Sequence, residues 1–324
     1  MVHLLPSKSQ GLAASKPVPK RLHPHGNRIM IYGLLYFAPV AARYKGYMMK
    51  VAAFTKSFQD WPIEVVCNRF RQIGLDGLDL TVRKGGHIEP EDVEIKLPLA
   101  AKAAAEAGSE ILFLTTDIMD PTPVAEKVVA TAREIGIDRI KLGYYRCNNL
   151  GQLQEAMDEA RSRIEAVAAM CKKYSVKPCI HIHSSTFMPS HGTMAYLLVK
   201  DISPDDVGVY ADMLHMNLEG GLSGWREGLE LIAPWLSLVS VKNYQWQEQG
   251  RGDDGQLRWK AVNVPVADGI SPIGAFVSAL KFFNYDGIYS MHSEYKGGGS
   301  YKDLSTEECL EVTKQDLEFF KKLF

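Results

Sequence analysis

Eight short apolar runs, separated by amphipathic stretches, recur along most of this chain, and that recurrence leaves few folds open. The strand-like runs fall at 29–36, 76–82, 110–116, 139–145, 178–184, 207–213, 237–243 and 287–294. Helical spacing of apolar residues marks 60–73, 98–107, 122–135, 150–174, 222–233, 271–283 and 305–322. Strands alternating with helices build parallel sheets, because parallel neighbours need a long crossover. Eight regular units suit a single closed (β/α)8 TIM barrel. No Gly-x-Gly-x-x-Gly follows the first run, which counts against a doubly wound open sheet. Local punctuation agrees. Thr122 and Pro123 read as the cap and first residue of a helix, and Gly74, Gly108 and Gly136 stand where left-handed helix ends belong. The segment 247–268 is long for a strand-to-helix loop. Its Asp254-Gly255 pair predicts a small hairpin inserted after the seventh strand, serving as a lid or simply as structure.

Composition sets the outer bounds. A chain of 324 residues with 46% hydrophobic content can fill one large barrel. The net charge of −1 offers no footprint for nucleic acid. No apolar run reaches the roughly 18 residues that would span a bilayer. Five cysteines without Cys-x-x-Cys spacing read as reduced thiols, so a cytoplasmic protein is expected, with neither nucleic acid nor membrane as partner. Homo-oligomerisation is left open. Residues 1–28 carry five basic and no acidic side chains among four prolines. They are expected to form a flexible basic tail ahead of a catalytic barrel over 29–324.

The chemistry gathers at the C-terminal ends of the strands, where barrels of this kind place their active sites. Alternate residues of a strand share a face. His181 and His183 therefore point together, as do His292 and Glu294. Burying such groups is costly unless they are paired or bound. The second strand ends on Asp79 and Arg83 and runs into His87, and the fourth ends Lys141-Leu142-Gly143-Tyr144-Tyr145-Arg146. The sixth gives Asp212 with His215 three residues on, and the seventh gives Ser240, Lys242 and Asn243. Five of the nine histidines sit at or just past a strand end. Each has a plainer reading: a loop hydrogen bond for His87, a cap for Asp79, a carboxylate partner for Lys242. Together, imidazoles and carboxylates suit a divalent metal better than a thiolate site.

These segments resemble the xylose isomerase-like barrel superfamily of sugar isomerases and epimerases. The resemblance runs from about Ile29 to the C-terminus. It is carried by Gly74-Leu75-Asp76-Gly77-Leu78-Asp79-Leu80, by Ile180-His181-Ile182-His183 and by Val207 through His215. Ser240-Val241-Lys242-Asn243 and Tyr285-Asp286-Gly287 through His292 complete it. The family's divalent metal is held by Glu, Asp, His and Glu from the last four strands. The matching positions here are His181, Asp212, Ser240 and His292, so only the aspartate is kept. Both family glutamates, which also move protons, are histidines in this chain.

The resemblance implies a metal-assisted isomerase or epimerase acting on a sugar or keto-sugar by proton abstraction next to a carbonyl. His181, Asp212 and His292 are the expected ligands, for Mn²⁺ first and for Zn²⁺, Co²⁺, Fe²⁺ or Mg²⁺ as alternatives. Glu294, His183 and Lys242 are the expected catalytic groups. Arg83, His87, His215 and Trp246 are expected to contact substrate. A keto-sugar or glycoside lyase, or a sugar-binding barrel without turnover, are the rival readings. The run Gly297-Gly298-Gly299-Ser300 leaves a phosphate group on the substrate open.

Overall fold

The computed structural model describes residues 49–324. Eight parallel strands close into a barrel. They are β1 Lys50–Phe54, β2 Gly77–Val82, β3 Glu110–Thr116, β4 Arg139–Lys141, β5 Lys177–His181, β6 Gly208–Asp212, β7 Leu236–Val241 and β8 Ile288–Met291. Each strand pairs with its neighbours in sequence, and β8 closes the ring on β1, with Ala53 opposite Met291. Nine α-helices among the described residues cover the outside: α1 Ile63–Gln72, α2 Val93–Glu106, α3 Pro123–Glu134, α4 Leu153–Lys172, α5 Gly192–Val199, α6 Met213–Gly220, α7 Gly224–Ile232, α8 Ile273–Phe282 and α9 Thr306–Lys321. The expected barrel architecture is therefore present.

The first strand is a correction. The run 29–36 lies outside the described residues, as does the basic tail over 1–28, and the first place in the barrel belongs to Lys50–Phe54. Lysines at 50 and 56 shorten its apolar signature to Val51–Phe54, which is weaker than that of 29–36. Helix α2 is a second correction. It begins at Val93 and runs through Pro98, because Val93 and Leu97 are fully buried and anchor the turn ahead of the proline. The ends of α3 follow the expected chemistry. Thr122 accepts a hydrogen bond from Ala125 N, and Gly136 takes φ +86° just past the helix.

Apolar side chains form two clusters. The larger fills the layer between strands and helices. The smaller comprises Ala52, Leu112, Phe113, Cys179, Tyr210, Leu238 and Ile288. Cys179, Tyr210 and Ile288 share strand parity with His181, Asp212 and His292. The same faces thus change from apolar to polar toward the C-terminal ends, and that change positions the site.

The insertion after β7 is a hairpin, Asn243–Arg251 against Leu257–Val264, turning through Asp254-Gly255 with Gly255 at φ +76°. Its arms reach back to the end of β7, beyond the 247–268 expected for it. The hairpin is tied to the segment after β8, where Tyr301 N donates to Asn263 O at 2.9 Å. All five cysteines are free thiols. Among the described residues no helix is long and apolar enough to cross a membrane.

Candidate active site

Lys242 lines the cavity at the mouth of the barrel. It follows the last residue of β7, is 3% exposed, and faces a carboxylate on either side. Its Nζ lies 3.2 Å from Asp212 Oδ2 and 3.2 Å from Glu294 Oε2. Burial opposes its charge, but Asp212 and Glu294 outweigh burial and raise its pKa. Burial likewise opposes ionisation of Asp212, yet the His215 ring, Lys242 and His181 hold that carboxyl well below the usual range. Glu294 behaves in the same way, with Lys242, Lys56 and His292 outweighing burial. Lys56 Nζ donates to Glu294 Oε1 at 2.6 Å. Asp212 has one further duty, since its Oδ1 caps α6 by accepting from His215 N at 3.0 Å.

The histidines surround this ionic centre. His181 Nε2 lies 3.2 Å from Asp212 Oδ2, and its Nδ1 lies 2.8 Å from the Tyr144 hydroxyl. The His181 ring stacks on Tyr210, with centroids 4.4 Å apart. His292 stacks on Phe54, and its Nε2 is 2.7 Å from the Tyr210 hydroxyl. That hydroxyl in turn donates to Asp79 Oδ2 at 3.3 Å. Asp79 also accepts from Thr115 and Ser290. His183 packs against His215 with ring centroids 3.9 Å apart. Burial lowers the pKa of His181 and His215 well below 6.5, and burial together with Lys242 takes His183 to about 4. His183 is therefore neutral at pH 7.

A second buried lysine has the opposite character. Lys141, the last residue of β4, is 2% exposed and lines the same cavity. Its Nζ sits 3.5 Å from the centroid of the Tyr144 ring, with no carboxylate in ion-pair range among the described residues. Burial, reinforced by Arg83, pushes its pKa down to about 7. In an eight-stranded ring β4 stands four places from β8, so Lys141 and Glu294 enter the cavity from opposite sides.

The structure brings most of the expected residues together. His181, His183, Lys242, His292, Glu294 and Arg83 all line the cavity, and the Arg83 guanidinium lies over the Phe54 ring. Asp212 and His215 lie directly behind them, at hydrogen-bond or ring contact. Two expected residues lie elsewhere. His87 is held by Thr81, whose Oγ1 is 3.2 Å from its Nδ1, and is not part of the cavity lining. Trp246 stands half-exposed on the hairpin, packed edge-on against Tyr244, and is likewise outside that lining. Lys56, Lys141 and Tyr144 line the cavity although the sequence does not single them out. Lys141 and Tyr144 are visible there as part of a strand end, the signal that could find them.

The expected metal ligands do not converge. His181 and Asp212 turn toward each other, but His292 directs Nε2 to Tyr210 and leaves a buried Nδ1 without a hydrogen bond. Among the described residues no three His, Cys, Asp or Glu side chains are arranged to hold a metal ion. The group in contact with both Asp212 and Glu294 is an ammonium. This donor set does not fit a divalent cation.

Comparison with known proteins places the fold. No curated protein sequence matches the chain. Among solved structures, D-psicose 3-epimerase with D-tagatose from Clostridium cellulolyticum H10 superposes with a TM-score of 0.64 at 13% identity, covering 85% of this chain and 99% of that one. The probable 3-DHS dehydratase AsbF of Bacillus anthracis gives 0.63 at 14%, covering 84% and 99%. The IOLI protein with a bound zinc atom gives 0.64 at 14%, covering 85% and 99%. The family model described as xylose isomerase-like TIM barrel matches residues 68–323, and the chain belongs to that family.

Proposed function

We propose that this barrel interconverts sugar-like hydroxyketones, as an epimerase or isomerase, by abstracting a proton next to a carbonyl. The observation that carries the reading is Glu294, a partly buried carboxylate kept ionised at the cavity by Lys242 and Lys56. Likeness to a ketose 3-epimerase supports the substrate class. Enolising a hydroxyketone requires a base at the α-carbon and a fixed positive charge at the oxygen that becomes the enediolate. Glu294 takes the proton, and Lys242 with Arg83 holds the oxygens. Inverting a carbon requires a second proton carrier on the opposite face. Lys141 enters from that side with a pKa of about 7, matched to proton transfer near neutrality. His183, neutral beside them, can accept a hydrogen bond from a substrate hydroxyl.

Zinc in the IOLI protein supports a divalent cation as the cofactor to expect in a barrel of this kind. The side chains here do not assemble around one, so the reaction is written with this chain's own residues. Likeness to a probable dehydratase favours a second reading, a lyase, which shares the first proton abstraction and then expels a β-hydroxyl. Incubation with D-psicose, D-fructose and D-tagatose in D₂O, followed by NMR, separates the outcomes. Deuterium at the α-carbon together with an epimer or isomer is expected. An unsaturated product identifies a lyase, and no deuterium from any ketose overturns the proposal.

A further inference from the structure

We infer that the Lys242 ammonium is the resident cation of this barrel and that the protein works without a divalent metal ion. The geometry is that of a filled cation site. Lys242 Nζ sits 3.2 Å from the buried Asp212 carboxylate and 3.2 Å from the partly buried Glu294 carboxylate, each supplied by a different strand end. A metal ion bound to both oxygens, at the roughly 2.0–2.6 Å such bonds require, would press against that ammonium. A further positive charge about 4 Å from a partly screened ammonium loses on the order of a thousandfold in affinity.

The remaining donors are only partly available: His292 Nδ1 and His215 Nε2 lack hydrogen-bond partners, each 3.9 Å from a carboxylate oxygen that Lys242 already holds. His181 has Asp212 on one nitrogen and Tyr144 on the other, and His292 has Tyr210. Ser240, at the position of the family's histidine, lies fully buried with its Oγ lacking a hydrogen-bond partner and without the imidazole a metal would use. Lys242 and Lys56 already answer Asp212 and Glu294, the two carboxylates that would have to hold the ion. The lysine supplies what the ion would have supplied, a fixed positive charge at the substrate oxygen. The inference concerns the site before substrate enters, and it stands whichever carbonyl compound is turned over.

Metal analysis of the full-length protein, combined with Mn²⁺ calorimetry on the protein and on Lys242→Met, tests it. The unmodified chain is expected to purify with well under one equivalent of metal. Lys242→Met frees two carboxylates that repel each other, and it is expected to bind Mn²⁺ at least about a hundredfold more tightly than the parent. One tightly held equivalent in the unmodified chain overturns the inference, as does a folded Lys242→Met that binds Mn²⁺ no better. Circular dichroism establishes folding of the variant, with Lys242→Gln as the substitute if it fails. The measurement on the unmodified protein is decisive by itself and needs no substrate. It therefore fails separately from the ketose assay.

Discussion

Lys242 and Lys141 share one cavity, but only Lys242 has a carboxylate in ion-pair contact. With Asp212 and Glu294 in contact, Lys242 stays charged, whereas Lys141, with an aromatic face and an arginine nearby, is pushed down to about 7. Glu294 is the pivot, since it touches both Lys242 and Lys56. Glu294→Gln keeps the shape and removes the base, so turnover of the responsive ketose is expected to fall about a hundredfold or more. Lys56 is half-exposed and its pair is screened, so Lys56→Met is expected to cost less than about tenfold. Steady-state kinetics on the two variants checks the contrast, and equal losses would remove Glu294 from its role. The residues behind this prediction are legible in the sequence to unequal degrees. Alternation along a strand puts His181 with His183 and His292 with Glu294. Lys56 stays hidden because the stronger apolar run at 29–36 competes for the first strand. Trp246 and His87 have the right residue types, but a hairpin and a threonine direct them away from the cavity.

Among the elements, the strands are more legible than the short helices. An inward face needs only parity, and seven of the expected runs coincide with or overlap β2 to β8. Helices α5 and α6 leave no such mark. Each has eight residues, and what defines them is tertiary: α6 starts on a cap that is itself the site carboxylate Asp212, and α5 depends on contact with α7. That contact is unusually close. A Cβ built on Gly192 would lie 2.5 Å from Gly228 Cα, and the opposing atoms are backbone, which cannot rotate away. Gly192→Ala is therefore expected to destabilise the protein by about 1–3 kcal/mol. Urea unfolding gives the measurement. An unchanged midpoint would mean that α5 and α7 can separate at little cost. The metal site expected from the resemblance is the least legible feature, because residue type at a strand end does not reveal which of its neighbours an imidazole will face.

For the whole molecule, a polar mouth built into a barrel core costs stability, and Lys141 allows that cost to be measured. The amine is buried without a carboxylate in ion-pair range among the described residues, and its pKa falls from the ordinary lysine value of 10.5 to about 7. At neutral pH the unfolded chain binds a proton that the native chain binds only partly, so the native state bears the penalty of desolvating a charge. Replacing Lys141 with methionine keeps similar bulk and removes that penalty. Lys141→Met is expected to be more stable than the parent by about 1–4 kcal/mol at pH 7, while epimerisation of the responsive ketose is lost. The pH dependence follows from the sign of the shift. A depressed lysine pKa means the unfolded state holds more protons between pH 7 and 10.5, so the parent gains stability as pH rises through that window. The variant has no such group, so its advantage should be full below pH 7 and fade as pH approaches 10.5. Chemical unfolding of both proteins across that range measures the difference. An advantage that does not change with pH would reflect better packing by methionine and would sever the link between the lysine's charge and the stability of the barrel.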